Sequence, residues 1–276
     1  MPLSPGVRRS LGQEPDMRPC ALVTGASTGI GYELALLLAR DGHRLVLVSR
    51  DRERLESAAA RLRAEVPGVA IETHPVDLAD PDGLEEVCAR AAHLAPDVLV
   101  NNAGFGGYGP FARTSPAEEA AMIATNVTAL TMLAKAVLPG MLERSTGRIL
   151  NVGSTASFAP GPFAAVYAAT KAYVLSFSEA LAEETRGSGV TVTALCPGPT
   201  HTRFAARASM GGTRVFRGPV AQAGEVARIG YDALQAGRSV VVVGRVNRLM
   251  LFAIRFTPRR IVALISRREL SEVAPA

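Results

Sequence analysis

Cysteine is scarce. Cys20, Cys88 and Cys196 are the three in 276 residues, too few and too scattered for a disulfide framework. Without a CxxC pair they give no structural zinc site either, so no metal is expected and a reducing cytoplasm fits. Long hydrophobic runs are missing as well. The longest uncharged apolar run of the tail, Leu249 to Ile254, falls far below the ~20 residues of a bilayer crossing, and no membrane-spanning segment is expected. The first 18 residues carry Arg8, Arg9 and three prolines but no apolar stretch of the secretory kind. Residues 1–17 are read as a disordered leader, with Met17 as an alternative translation start. Internal repeats and low-complexity tracts are lacking. Acidic residues are absent from residues 245–268, which hold seven arginines. That local charge exceeds the net +5 of the whole chain, so the remainder is slightly acidic. A positive balance confined to one tail excludes the broad basic face of a nucleic-acid binder.

What is present is an ordinary globular composition, 48% hydrophobic and 20% charged, at a length near the upper range of one domain. Short apolar runs at 20–24, 45–49, 69–73, 97–101, 148–152, 190–196 and 239–243 read as strands. Between them lie helical stretches such as Tyr32 to Arg40, Arg52 to Glu65 and Ala164 to Glu184, long enough to cross over between parallel strands. The expected fold is α/β: a doubly wound Rossmann-type parallel sheet of about seven strands with helices on both faces. It is expected to occupy residues 18–244, with a basic amphipathic helical extension over 245–276. Ligands of such sheets sit beyond the carboxyl ends of the strands, so the residues following each strand are the place to look for chemistry.

After Cys20-Ala-Leu-Val comes TGASTGIG, Thr24 to Gly31, and then at once the helical run YELALLLAR. Gly25 permits a tight turn, Gly29 lets a pyrophosphate approach the backbone, and Gly31 lets the helix sit close to the sheet. The helix N-terminus adds N–H donors for anionic oxygens. A merely structural turn would look alike. The same stretch also matches G-x-S-x-G through Gly25, Ser27 and Gly29, the pattern of a serine-hydrolase elbow. That elbow normally follows earlier strands, and the histidines at 43, 74, 93 and 201 offer no obvious base.

An acid at the end of the second strand would hold the ribose 2′-hydroxyl of NAD. Ser49 and Arg50 stand there instead, and a guanidinium pairs well with a 2′-phosphate, so NADP(H) is favoured over NAD(H). Arg50 read blandly is one of several solvated charges opening a helix, and Asp51 beside it is an acid. Further on, Ser154 ends a strand, and Tyr167 and Lys171 share one face of a helix four residues apart. A free tyrosine has a pKa near ~10 and needs a neighbouring cation to exchange protons at neutrality, a part open to Lys171. Ser154 could polarise a substrate carbonyl. Taken singly each residue is ordinary; the combination with a glycine turn is less so.

Over roughly residues 17 to 243 the chain resembles the short-chain dehydrogenase/reductase family. The resemblance makes Thr24 to Gly31, including Ser27, Thr28 and Ile30, the cofactor turn. It makes Asp77, with Leu78 beside it, the adenine contact, and Asn101 to Gly104, hence Asn102, Ala103 and Gly104, the segment beside the nicotinamide. Asn126, Ser154, Tyr167 and Lys171 fill the family's catalytic positions, and Pro197, Gly198 and Thr200 its later cofactor contacts. It implies hydride transfer from nicotinamide to a carbonyl carbon with Tyr167 giving the proton. Lys171 would bond the nicotinamide ribose, and Asn126 would hold a water of the proton relay.

The expected activity is NADPH-dependent reduction of a ketone or aldehyde, including lipophilic or 3-oxoacyl compounds, in a dimer or tetramer. Alternatives are an NAD(P)-dependent dehydrogenase of alcohol or hydroxysteroid-like substrates, a non-catalytic NADP-binding regulator and a serine hydrolase. Residues 105–111 and 201–218 are expected to border the substrate pocket, the second as a lid with Phe204, Met210 and Phe216 and a hinge at Gly211-Gly212. On a helical projection Arg245, Arg248 and Arg255 share one arc and most apolar residues of the tail the other. Such a surface would pack on the domain or a second subunit, the favoured reading, or rest on an anionic membrane.

Overall fold

Strand β1 (Cys20–Thr24) is buried along its whole length, and its alternating side chains feed two separate cores. Ala21 and Val23 enter one; Cys20 and Leu22 enter the other. The computed structural model, which describes residues 18–202, 212–216 and 220–271, builds the rest of the fold around this strand. After β1 come β2 (Arg44–Ser49), β3 (Ile71–Pro75), β4 (Val98–Asn101), β5 (Gly147–Val152) and β6 (Val190–Cys196). Two short strands, β7 (Thr200–His201) and β8 (Ala221–Gln222), pair with each other, and β9 (Val240–Val242) closes the main sheet. Its order is β3-β2-β1-β4-β5-β6-β9, parallel throughout.

Parallel strands need crossover helices, and these cover both faces. Helices α1 (Gly29–Arg40) and α2 (Arg52–Glu65) bring Leu34, Leu38, Leu55 and Leu62 to the first core. The second core takes Val87 from α3 (Pro81–Leu94). After α4 (Pro116–Ile123), a π-helical turn, Ala124–Ala129, leads into α5 (Leu130–Glu143), whose Leu133 and Met141 join that core. Leu181 of α6 (Ala165–Glu184) completes this side, and α7 (Ala223–Gln235) returns to the first with Val226 and Leu234.

The seven expected strands are all present, with β3 displaced by two residues. Pro67 and Gly68 take up the turn, Gly68 at φ +84°, and Ile71 pairs with Leu45. Pro75 is tolerated because β3 is an edge strand. Among the described residues, one helical stretch, Pro116–Glu143, is apolar and long enough to cross a membrane. Its Leu130, Leu133, Ala134, Val137 and Met141 are buried against the sheet, as in a core helix.

The tail departs from the single amphipathic projection. It forms two helices, α8 (Arg245–Ile254) and α9 (Arg259–Glu269), separated at Pro258, whose missing N–H and fixed φ suit a helix start. Each helix turns part of its apolar residues toward the cleft. Leu251 and Val262 are buried while Leu249, Phe252, Phe256 and Leu264 face outward among the arginines. The expected leader, and Phe204, Met210 and Gly211 of the expected lid, lie outside the described residues.

Candidate active site

A cleft of about 760 Å³ opens beyond the carboxyl ends of the strands, at the point between β1 and β4 where the strand order reverses. Gly25, Ser27, Thr28, Gly29 and Ile30 line one end of it. Gly25 and Gly29 adopt φ of +65° and +61°, conformations that a side chain would strain. Thr28 caps α1 without a side-chain bond, so no hydroxyl competes with an anion for the helix's first N–H groups. Gly31 lies behind the lining. A Cβ there would stand 2.3 Å from Asn102 Nδ2 and 2.4 Å from the Gly25 carbonyl oxygen. That approach is used: Asn102 Nδ2 donates to the Thr24 and Gly25 carbonyls at 3.0 and 3.1 Å. The Thr24 hydroxyl donates to Val100 O at 3.2 Å and accepts from Asn102 N and Ala103 N, both at 3.0 Å.

Next to the glycine turn, the end of β2 supplies Ser49, which donates to Ser27 Oγ at 3.1 Å. Arg50 Nη1 stands 3.4 Å from Asp77 Oδ2, and Asp77 Oδ1 accepts from Ala79 N. Asp51, the acid that counted against NADP, is engaged elsewhere: it caps α2, accepting from Arg54 N at 3.0 Å, and pairs with the Arg54 guanidinium at 2.9 Å. Arg50 and Arg54 both line the cleft, with Leu78 close by. The glycine cradle, the open helix end and two guanidiniums form a donor set that fits a dinucleotide carrying an additional phosphate on its ribose.

At the other end, Ser154 follows β5 and caps a short turn, Thr155–Phe158, its hydroxyl accepting from Ala156 N at 3.1 Å. Tyr167 and Lys171 project from α6 on one face and are both buried. Lys171 Nζ donates to Val152 O at 2.8 Å and lies 6.0 Å from the Tyr167 ring centre. The Ser154 and Tyr167 side chains share a hydrogen bond. Burial pushes the phenol up to about 12, outweighing the lowering by Ser154. Burial also depresses the Lys171 ammonium to about 8. In this state of the chain desolvation of the phenol dominates its pKa. Ala103, Gly104, Pro197, Gly198 and Thr200 line the cleft between the two ends, and the Thr200 hydroxyl donates to Gly198 O at 2.9 Å.

Asn126 stands one layer back, 1% exposed, in the π-helical turn. Its carboxamide accepts from Phe105 N at 3.0 Å and donates to Phe105 O at 2.9 Å and Thr170 Oγ1 at 3.1 Å. Such turns recur where a helix is re-aimed at functional sites; here it turns this carboxamide toward the loop that carries Gly104. No histidine lines the cleft among the described residues, which removes the base that an elbow at Ser27 would need.

Sequence reasoning missed several cleft residues. The Val152 carbonyl was open to inference from its place at the end of β5. The tail residues Met250, Leu251, Ile254, Val262, Ile265 and Leu270 also line the cleft, because α8 and α9 fold back over it.

A family profile described as short chain dehydrogenase matches residues 19–211. Among curated proteins, the very-long-chain 3-oxoacyl-CoA reductase of Mycosarcoma maydis is 42% identical over 182 residues, 63% of this chain and 51% of that protein. The matched region thus spans about half the length of that relative. A short-chain dehydrogenase from Sphingobium yanoikuyae, solved in complex with NADPH, superposes with a TM-score of 0.78 at 38% identity, covering 86% of this chain and 94% of that one. The bulky-bulky ketone specific alcohol dehydrogenase from Comamonas testosteroni gives 0.74 at 33% identity, covering 86% and 92%.

Proposed function

The chain belongs to the short-chain dehydrogenase family, and on that premise we propose that it is an NADPH-dependent oxidoreductase reducing a ketone or aldehyde to an alcohol. The observation that carries this reading is the buried Ser154–Tyr167–Lys171 group facing the glycine cradle across one cleft. NADPH, when bound, would supply the hydride. Gly25, Ser27, Thr28, Gly29 and Ile30 would hold its pyrophosphate, with Gly31 keeping α1 close. Ser49 and Arg50 would hold the ribose phosphate, Asp77 and Leu78 the adenine, and Asn102, Ala103, Gly104, Pro197, Gly198 and Thr200 the nicotinamide half.

The Ser154 hydroxyl fixes the substrate oxygen, and the Tyr167 hydroxyl gives it a proton as negative charge develops there. Burial keeps the phenol protonated at neutral pH, the state a proton donor requires. Lys171, predominantly cationic below about 8, stabilises the phenolate left behind and would also donate to the cofactor ribose. Asn126 is a positioning residue: its carboxamide clamps the Phe105 backbone and so sets the loop of Gly104.

Residues 18–244 form the catalytic domain in this proposal, and 245–276 an extension of it. Three free thiols suit a cytoplasmic location. Exposed Ile123, Met132 and Tyr173 on α4 to α6 suit a homo-oligomeric contact. The tail packs on the domain through Leu251 and Val262, while outward Leu249 and Phe252, 72% and 57% exposed among arginines, suit peripheral contact with an anionic membrane. Screening ketones, aldehydes and 3-oxoacyl thioesters with NADPH and NADH, by loss of nicotinamide absorbance, tests the activity. No oxidation of either cofactor across that panel would refute it.

A further inference from the structure

The proposed proton and hydride chemistry makes no use of residues 245–276, yet α8 and α9 wall one side of the cleft. Met250, Leu251, Ile254, Val262, Ile265 and Leu270 line it, and Leu270 packs on the apolar cluster that contains Tyr167 and Met122. Helix α8 rests on the Thr155–Phe158 turn beside Ser154, and α9 on the Arg214–Phe216 turn. Two contacts latch the end of α9. The Tyr108 hydroxyl donates to Leu270 O at 2.5 Å, and the Arg267 guanidinium lies 5.9 Å over the Phe163 ring. Phe163 precedes α6 in left-handed backbone, a conformation that a non-glycine residue keeps only where its surroundings hold it. The Tyr108 ring, 6.1 Å away, and the bond from Gly109 N to Phe163 O do so. The tail is thereby fastened to the loops flanking Tyr167.

The polar side chains on this wall are Thr257, Ser266 and Glu269. Thr257 already donates to Ala253 O at 2.9 Å, and Glu269 stands at the exposed end. Between them the surface is aliphatic, suited to exclude water from hydrocarbon and unsuited to a polyhydroxylated substrate.

We propose that the C-terminal helix pair is the chain-binding wall of the substrate site, and that it selects carbonyl compounds carrying an extended alkyl or acyl chain. The inference rests on the reductase reading for the position of the reacting carbonyl, at Ser154 and Tyr167. From there the chain runs along α8 and α9 and leaves past Ile265, which is 55% exposed. Affinity then grows with chain length by roughly two- to fourfold per methylene taken out of water.

Calorimetric titration of the NADP-loaded full chain with 2-hexanone, 2-octanone and 2-decanone tests this, alongside Ile254→Trp and Ile265→Trp, which fill the wall. Parent affinity is expected to climb along the series. Each variant is expected to lose roughly tenfold or more for 2-decanone while holding 2-hexanone near the parent value, which also reports an intact fold. An affinity independent of length in the parent, or a climb undiminished in both variants, overturns the proposal. Turnover with NADPH is read separately. Length-dependent binding without reduction of any ketone sinks the reductase reading and leaves the wall standing, whereas reduction with length-independent affinity does the opposite.

Discussion

The Lys171 ammonium lies 6.0 Å from the centre of the Tyr167 ring, one helical turn along α6, and both side chains are buried. A cation and a phenol enclosed together have few routes for a proton other than a ligand in the cleft. Tyr167→Phe is expected to lower turnover by ~10²- to 10⁴-fold, the usual contribution of a positioned acid. NADPH affinity should change little, since the ring is retained. Near-parental turnover in steady-state assays would take Tyr167 out of the mechanism.

Lys171 makes stability depend on pH with a definite sign. Its folded pKa, about 8, lies below the ~10.4 of a free lysine. Between those values the unfolded chain holds a proton that the folded chain has released, so parental stability rises with pH over that window. Below about 8 both states are charged, and the folded one bears the burial penalty. Lys171→Met lacks this slope. Its stability relative to the parent should fall steadily from pH 8 to ~10.5, by roughly 2–4 kcal/mol in total. Losing the bond to Val152 O offsets the whole comparison by a constant of about 1–3 kcal/mol. Denaturant unfolding at several pH values reads the slope; a difference that widens in favour of Met would contradict the burial argument.

Much of this site is legible in the sequence. The glycine turn, Ser154, Tyr167 and Lys171 converge because each follows a strand of one parallel sheet, and such sheets place those positions at one edge. The strands were legible because, buried on both faces, they read as continuous apolar runs. Other features depend on contacts distant in sequence. Arginine spacing in the tail implied one projection, but Pro258 starts a second helix, and the burial of Leu251 and Val262 is decided by the cleft they cover. The pKa of Tyr167 also follows enclosure, which a YxxxK spacing does not encode.

Arg50 and Asp77 face each other at 3.4 Å, and a ribose phosphate would compete for that guanidinium. Arg50→Asp should weaken NADPH binding by roughly 10- to 100-fold, as expected for losing a charge-assisted pair to phosphate. NADH binding should hold or improve. Fluorescence titration with both cofactors checks it, and equal losses for the two would show that Arg50 does not read the phosphate.

Asn101 heads a buried polar chain across the sheet. Its Nδ2 donates to Asn151 Oδ1 at 3.0 Å, Asn151 Nδ2 donates to Ser178 Oγ at 2.9 Å, and Ser178 donates to Val174 O at 2.6 Å. Asn101→Leu strands the Asn151 oxygen and should cost about 2–4 kcal/mol of stability. Thermal and denaturant unfolding measure this, and a cost below ~0.5 kcal/mol would show that the chain of amides is dispensable.

The single hydroxyl of Thr24 holds Val100 and receives the N–H groups of Asn102 and Ala103. It therefore bolts together the two halves of the sheet at the level where their loops diverge. A ligand long enough to reach into both halves meets a fork of fixed span, so both of its ends are registered by one side chain that lies beneath the fork.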